Sequence, residues 1–364
     1  MKILHALYQS KTGTGTLQVV LDLQTSAQAA GHTVSILARD AQVFAQAGAE
    51  RFFTGNKFWD WLRFGQRIAR DSPDLVHVHD RYCSLLLRGI PNRPPSVQTN
   101  HIAYTTRRRF TLLADVVVGC SEAMDRHHAE FFNLPSHRRA VIQNGITARL
   151  PRPEQVARLG QSLPGEKKKL CLTVARLEPE KGHRYLLEAI AGLDPALRQE
   201  WGFVMAGSGS LENSLQKQAQ QLGLDTDVFW VGHTPQVPEW LALAEVFVLP
   251  SLLEGLPLSL LEAMAAGLAC LATDVGGTAE ALHSYRNGLL IPPEDVPALG
   301  EGLTQLLGNA QLRRQLGQAA RADYERHWRF ERTWQQYETL YQHLYRAALH
   351  APTVSPNSLT PRLP

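Results

Sequence analysis

Long apolar runs are missing from this sequence. The richest, LSLLEAMAAGLACLA, is interrupted by Glu262, and MKILHALYQSK has no extended apolar region ahead of a small-residue cleavage site. A spanning helix needs about 20 consecutive apolar residues, so neither a membrane span nor a leader peptide is expected. Cysteine is scarce: Cys83, Cys120, Cys171 and Cys270 stand far apart and form no CxxC pair. That argues against a zinc knuckle or a disulfide framework and for a reducing, cytoplasmic setting. Charge of one sign is missing too, since a formal net charge of +3 lacks the dense basic stripe that nucleic acid requires. No complete GxGxxG occurs in GTGTLQ or in AGSGSLE, so nicotinamide binding is read from neither.

What is present describes an ordinary globular chain, 44% apolar and 20% charged, with glycine and proline scattered. At 364 residues it exceeds what one core usually organises, and a length of roughly 150 residues per domain suggests two. KILHALY is a short apolar run that ends at the turn-rich KTGTGT and is followed by helical sequence to Gly31. HTVSILAR, DLVHVHD, SVQTNH, DVVVGCS and AVIQNG repeat that alternation, and LCLTVA, GFVMAG, VFWVG, VFVLPS and LACLAT repeat it again. The fold class is therefore α/β, with two Rossmann-like, doubly wound sheets. The expected domains are 1–150 and 165–325, with the Pro- and Gly-rich stretch near 145–168 as linker and hinge. Aromatics at Trp334, Tyr337, Tyr341 and Tyr345 form one stripe on a terminal helix over 326–350, and 351–364 reads as a flexible tail.

Two stretches carry chemistry. In PSLLEGLPLSLLEAMAAG a strand ends at Pro250, Glu254 occupies a loop, and helical sequence from about Leu258 places Glu262 one turn inside. A helix start offers free amides and a positive dipole to phosphate, and two glutamates eight residues apart can reach opposite ends of one ligand. In VARLEPEKGHRYLLEAI, Arg176 and Lys181 follow a strand end, where ligands of open α/β sheets bind and fixed cations can offset a departing diphosphate. Taken singly, each stretch also reads as solvated charge on a loop. Asp225-Thr226-Asp227 has the form of a DxD metal motif but lies in a short connection into a strand, and is read as a turn.

Together these stretches resemble the glycosyltransferase group 1 family, also called family 4. The resemblance extends over AAGHTVSIL, DLVHVHD, VVGCSEAM and VIQNGI in the first half and VARLEPEKG, VMAGSGSLE, VGHTPQVPEWLALAEVFVLPS and ATDVGGTAEAL in the second. It implies the GT-B fold: two domains facing across a cleft, acceptor bound by the first and nucleotide-sugar by the second, with the C-terminal helix packing back on the first. It implies retaining transfer of a sugar from a UDP- or GDP-sugar to a glycan or lipid-linked acceptor, as in cell-surface polysaccharide or lipopolysaccharide synthesis. Neither a metal nor an organic cofactor is expected. Arg176 and Lys181 would hold the diphosphate, Glu262 the ribose, and Glu254 the transferred sugar, with amides near Gly255, Leu256 and Leu258 assisting. His101, in VQTNH, would lie close to that sugar. Gly15, in the glycine-bearing loop of the first domain, and Gly207 and Gly209 would allow close backbone approach, while Gly232 and His233 would meet the base.

The alternative within the same fold is a non-catalytic sugar-nucleotide-binding or scaffolding protein. KFWDWLRFGQRIAR, which mixes bases with aromatics, and the triplet Arg107, Arg108 and Arg109 leave peripheral contact with the inner face of a membrane open.

Overall fold

The computed structural model describes residues 1–8, 15–40, 48–87, 89–104, 114–162 and 169–350. Gly13 and Thr14, the arginine triplet 107–109 and the tail 351–364 lie outside them. The chain divides into two units, residues 1–144 together with the chain from Phe330, and residues 145–329.

The first unit holds β1 (Lys2–Leu7), α1 (Gly15–Ala29), β2 (Thr33–Ala38), β3 (Glu50–Arg51), α2 (Lys57–Asp71), β4 (Leu75–Val78), α3 (Arg81–Leu87), β5 (Ser96–Asn100), β6 (Val116–Gly119), α4 (Glu122–Phe132) and β7 (Arg139–Val141). All seven strands are parallel, in the order β3-β2-β1-β4-β5-β6-β7. Both faces of such a sheet are covered by helices, so β1, β4, β5 and β6 are buried almost throughout, with no solvent-exposed face. Side-chain oxygens start the helices: Asn56 accepts from Phe58 N and Trp59 N ahead of α2, and Ser121 from Met124 N ahead of α4.

The second unit holds α5 (Pro153–Ser162), β8 (Lys169–Val174), α6 (His183–Ala191), α7 (Pro195–Gln199), β9 (Trp201–Ala206), α8 (Glu212–Gln221), β10 (Val228–Gly232), α9 (Val237–Leu243), β11 (Val246–Leu249), α10 (Leu258–Ala266), β12 (Ala269–Thr273), α11 (Thr278–Ala281), β13 (Leu289–Ile291), α12 (Val296–Gly308) and α13 (Ala310–His327). Its six strands are parallel in the order β10-β9-β8-β11-β12-β13. Leu186, Leu187, Ile190, Trp201, Phe203, Leu271, Leu303 and Leu306 belong to its core. Part of the expected linker is a helix. In PEQVARLGQS, Val156 and Leu159 share one half-buried face, and α5 packs on α9, with Arg152 bonded to Glu239 at 3.0 Å and Gln236 to Gln155 at 2.9 Å.

The terminal aromatic stretch is not one helix. Its first two residues, Arg326 and His327, belong to α13, and Arg329 forms a bridge with Ile146 before α14 (Phe330–His350) begins. The break falls where the chain passes from the second unit back to the first, with Trp328 and Phe330 buried on either side of it. Trp334, Tyr337, Leu340, Tyr341 and Leu344 then bury the apolar face of α14 within the first unit, beside α1 and β4.

Candidate active site

In the second sheet the chain leaves β8 toward β9 on one side, and the later β11 pairs with β8 on the other. The topological switch point therefore lies between β8 and β11, where open α/β sheets bind ligands outside the strands' carboxyl ends. The loops that leave these two strands carry the charged residues. Leu252 N donates to Glu180 O at 2.8 Å and ties the loops together. Across that seam Lys181 Nζ donates to Glu254 Oε1 at 2.6 Å, and the buried Ser251 hydroxyl donates to the same oxygen at 2.7 Å. The Lys181 and Glu254 side chains are only 16% and 8% exposed, so the pair is nearly dry. The Ser251 carbonyl in turn accepts from Thr273 Oγ1 of β12.

Arg176 lies two residues beyond β8 and is more open. Its guanidinium donates to Glu180 Oε1 at 2.7 Å and stands 3.9 Å from Glu178 Oε1. Glu178 also grips the neighbouring loop, accepting from Ser210 N at 3.3 Å and Ser210 Oγ at 2.5 Å. Gly207 and Gly209 explain how that loop comes so near. A Cβ on Gly207 would stand 1.9 Å from the carbonyl oxygen of Ala175, and Gly209 packs equally tightly on the backbone of Leu177. The close approach that these glycines permit is thus to the arginine-bearing loop itself. Gly207 N also donates to Gly232 O at 2.8 Å, which brings the end of β10 to the same edge, with His233 exposed beyond it.

Gly255, Leu256 and Leu258 follow Glu254 into α10. Pro257 precedes that helix, and no side chain caps it, leaving first-turn amides to a ligand or to solvent. Gly276 fixes the loop from behind: its φ is +55°, and a Cβ there would meet Glu254 O at 1.9 Å, while Gly277 N donates to Gly255 O at 2.7 Å. Glu262, one turn into α10, accepts from Arg149 at 3.1 Å. The structure thus brings Arg176, Lys181, Glu254, Gly207, Gly209, Gly232 and Gly255 to one sheet edge, with Glu262 one helical turn away on a separate ion pair.

His101 and Gly15 belong to the first unit. Gly15 is exposed at the first turn of α1. His101 follows β5, and strand parity places it on one sheet face with Thr99, His77, His79 and His5. His79 Nδ1 lies 3.4 Å from His101 Nε2, and His79 Nε2 lies 2.9 Å from His5 Nδ1. His77 bonds Tyr341 OH at 2.7 Å and Thr99 Oγ1 at 2.8 Å, and Thr99 bonds Tyr337 OH at 2.8 Å. The aromatic stripe of α14 is therefore a lid on a polar histidine cluster as well as core. Burial keeps these rings neutral, lowering His101 to about 4 and His5 to about 3, with His77 and His79 also well below the ordinary value.

Sequence reasoning assigned no role to Ser251, Glu178, Glu180, Ser210 or Arg149. Glu178, Ser210 and Arg149 act by touching residues distant in sequence, for which a single sequence carries no signal, while Ser251 and Glu180 lie three and four residues from their partners in loops without a regular period. Gly276 was more accessible, because the paired glycines of DVGGTAE mark a tight approach. Asp225-Thr226-Asp227 forms a turn, and Asp227 is paired with Arg198 at 2.9 Å.

Comparison with known proteins adds an independent line. Residues 158–323 match the family described as Glycosyl transferases group 1, and residues 13–149 match Glycosyltransferase Family 4. The chain is 29% identical to a glycogen synthase of Mycobacterium tuberculosis over 82% of its own length and 84% of the relative's. It is 30% identical to the lipopolysaccharide core biosynthesis mannosyltransferase LpsB of Rhizobium meliloti, over 47% of this chain and 50% of that one. Three further curated relatives, 32% to 37% identical, are matched over only 21% to 44% of their length. Among solved structures, Anabaena Alr3699/HepE superposes with a TM-score of 0.81 at 20% identity, covering 94% of this chain and 100% of that one. With both halves matched in order and two parallel sheets of the expected topology, the chain belongs to the glycosyltransferase group 1 and family 4 proteins of GT-B fold.

Proposed function

We propose that the protein is a retaining glycosyltransferase that moves a hexosyl group from a nucleotide-diphospho-sugar to a hydroxyl of a glycan or lipid-linked glycan. The observation that carries this reading is the Lys181–Glu254–Ser251 trio beside Arg176 at the switch point of the second sheet. Cations fixed in a nearly dry setting suit a leaving group that gains charge. The solved structures of Anabaena Alr3699/HepE hold UDP and UDP-glucose, which supports a nucleotide-sugar donor here.

In this reading Arg176 and Lys181 bind the diphosphate, Arg176 by turning from Glu180 and Lys181 while keeping Glu254 in place. The amides that open α10 add their dipoles, Glu262 takes the ribose hydroxyls, and Glu254 takes hydroxyls of the transferred sugar through the oxygen that Lys181 leaves open. Gly232 and His233 border the base. The acceptor hydroxyl approaches the face from which diphosphate departs. As the new bond to the anomeric carbon forms and the bond to phosphate breaks, the acceptor proton passes to a departing phosphate oxygen. Glu254 orients and never attacks. The two cations take the share of charge that a divalent ion would otherwise carry, so chelation by EDTA leaves turnover intact.

The test is Glu254→Ala, assayed for transfer and for donor binding. We expect turnover to fall on the order of a hundredfold or more while donor still binds. Unchanged turnover removes Glu254 from the site, and a wild type that binds donors but transfers to no acceptor favours the binding-protein alternative.

The acceptor is assigned to the first unit. No helix among the described residues is long and apolar enough to cross a membrane. A lipid-linked acceptor would be met peripherally, at the inner face of the cell membrane. Helix α2 suits this, exposing Phe58 and Trp59 beside Lys57 in its first turn, with Arg70 exposed in its last. Flotation with anionic liposomes should be lost in Phe58→Ser/Trp59→Ser, and flotation that is absent in the wild type dismisses the idea.

A further inference from the structure

The histidines beneath His101 form a directed line. His5 Nδ1 meets His79 Nε2 at 2.9 Å, and His79 Nδ1 meets His101 Nε2 at 3.4 Å, with successive rings within 14° and 20° of parallel. A neutral imidazole carries one proton and can donate through only one nitrogen. Two consecutive N–H···N bonds through His79 must therefore run the same way: either all three rings are protonated at Nδ1, or all three at Nε2.

His5 decides between them. Its Nε2 is buried and has no hydrogen-bond partner among the described residues. Protonation at Nε2 throughout would strand a buried N–H there, whereas protonation at Nδ1 strands only a lone pair. Orphaned donors are the rarer outcome in folded proteins. We propose that His5 and His79 lock His101 in its Nδ1–H tautomer, so that His101 presents a neutral hydrogen-bond donor to an oxygen of the transferred sugar and takes no proton during transfer. His79 and His5 are then positioning residues. The role toward sugar rests on the transferase reading above, while the tautomer lock stands on geometry alone.

Other observations agree. Burial lowers all three rings so far that none is cationic at neutral pH, which keeps the proton count of the line at three. His77 stays outside the line because Tyr341 and Thr99 occupy both of its nitrogens. The ligand nitrogens of His5, His77 and His79 do lie within 4.8 Å of one another, a spacing a metal could use. A metal would have to break one bond of His79 and one of His77, whose nitrogens are all engaged, and among the described residues no carboxylate belongs to the group to offset its charge.

The experiment is long-range proton–nitrogen correlation NMR on the full chain labelled with 15N-histidine, ligand-free and at neutral pH, with His101→Asn and His79→Phe assigning the signals. The expected result is Nδ1 protonated and Nε2 bare in His5, His79 and His101. A His101 protonated at Nε2, at both nitrogens, or rapidly averaging between tautomers overturns the proposal, whether or not transfer is detected. In His79→Phe, which keeps a ring but removes both bonds, His101 should become a tautomer mixture. Turnover should then fall by roughly tenfold to a hundredfold with donor KM little changed. An unaltered His101 tautomer in that variant also sinks the lock. If the wild type shows the expected tautomer but no transfer with any donor, the transferase reading fails and the lock survives.

Discussion

The two sheets share one strand order through their first six strands, yet they furnish their switch points with opposite chemistry. In the second sheet the polar side chains stand on loops beyond β8 and β11, where Arg176, Lys181, Glu178, Glu180 and Glu254 form ion pairs with one another. In the first, the polar side chains His5, His77 and Thr99 stand on the strands, and His79 and His101 just past their ends. Burial under α14 lets only the neutral form of these histidines persist. One architecture thus presents charge where polar side chains sit on loops two or more residues past the strand ends, and neutral imidazoles where they sit on the sheet face or immediately past it. The first suits a diphosphate and the second suits sugar hydroxyls.

The sharpest break in this comparison comes from Lys181. Lys181→Ala leaves Glu254 buried with, among the described residues, Ser251 as its one remaining side-chain partner, and removing one member of a buried pair costs about 3–5 kcal/mol. The second unit should lose stability on that scale in urea, and transfer should fall on the order of a thousandfold. The double variant Lys181→Ala/Glu254→Ala separates these effects. It should recover much of the stability, because no buried charge is stranded, and none of the activity. Recovery of activity would mean that the pair serves folding and not the phosphate.

Acid should strike the two units unequally. Burial lowers His5 to about 3 and His101 and His128 to about 4, and it also lowers His77 and His79. In the second unit only His183, among the described residues, is lowered, to about 4. An unfolded histidine binds its proton near pH 6.5 while these folded ones stay neutral, so the unfolded state holds more protons as pH falls below 6.5. Stability is then full above about 6.5 and declines toward the folded values, at about 1.4 kcal/mol per pH unit for each histidine. With five such groups against one, amide exchange between pH 6.5 and 5 should quicken in the first unit well before the second. Equal acceleration in both would show that the cluster is already charged, and the contrast between the sheets would fail.

Much of this was open to reading from the sequence, for physical reasons that can be named. Continuous apolar runs separated by helical sequence specify a buried parallel sheet, so both sheets and most of their strands were legible. The gathering of Arg176, Lys181 and Glu254 at one sheet edge was legible because each lies on a loop that leaves the carboxyl end of a strand. The break between α13 and α14 was not legible, because helical periodicity runs through both sides of Trp328, and only the change of unit interrupts it. The histidine line was half visible. VHVH places two histidines on one face, but their link to His5 joins strands 72 or more residues apart, and the cover supplied by Tyr337 and Tyr341 comes from the far end of the chain.

The smallest expected effect concerns Arg149, whose bond to Glu262 is an exposed contact at the edge of the second sheet, with side chains 50% and 22% open. An ion pair of that exposure contributes about 0–1 kcal/mol, so Arg149→Ala should leave the urea midpoint nearly unchanged. Its influence should be on binding. If Glu262 takes ribose hydroxyls, each donor molecule must share or displace the arginine, and removing that competitor should tighten nucleotide binding by up to roughly fivefold, read by calorimetry with UDP and GDP. Weaker binding in Arg149→Ala would instead make the arginine a ligand in its own right. Charge on this edge would then extend beyond Arg176 and Lys181, and the contrast with the neutral histidine face of the first sheet would be greater than described above.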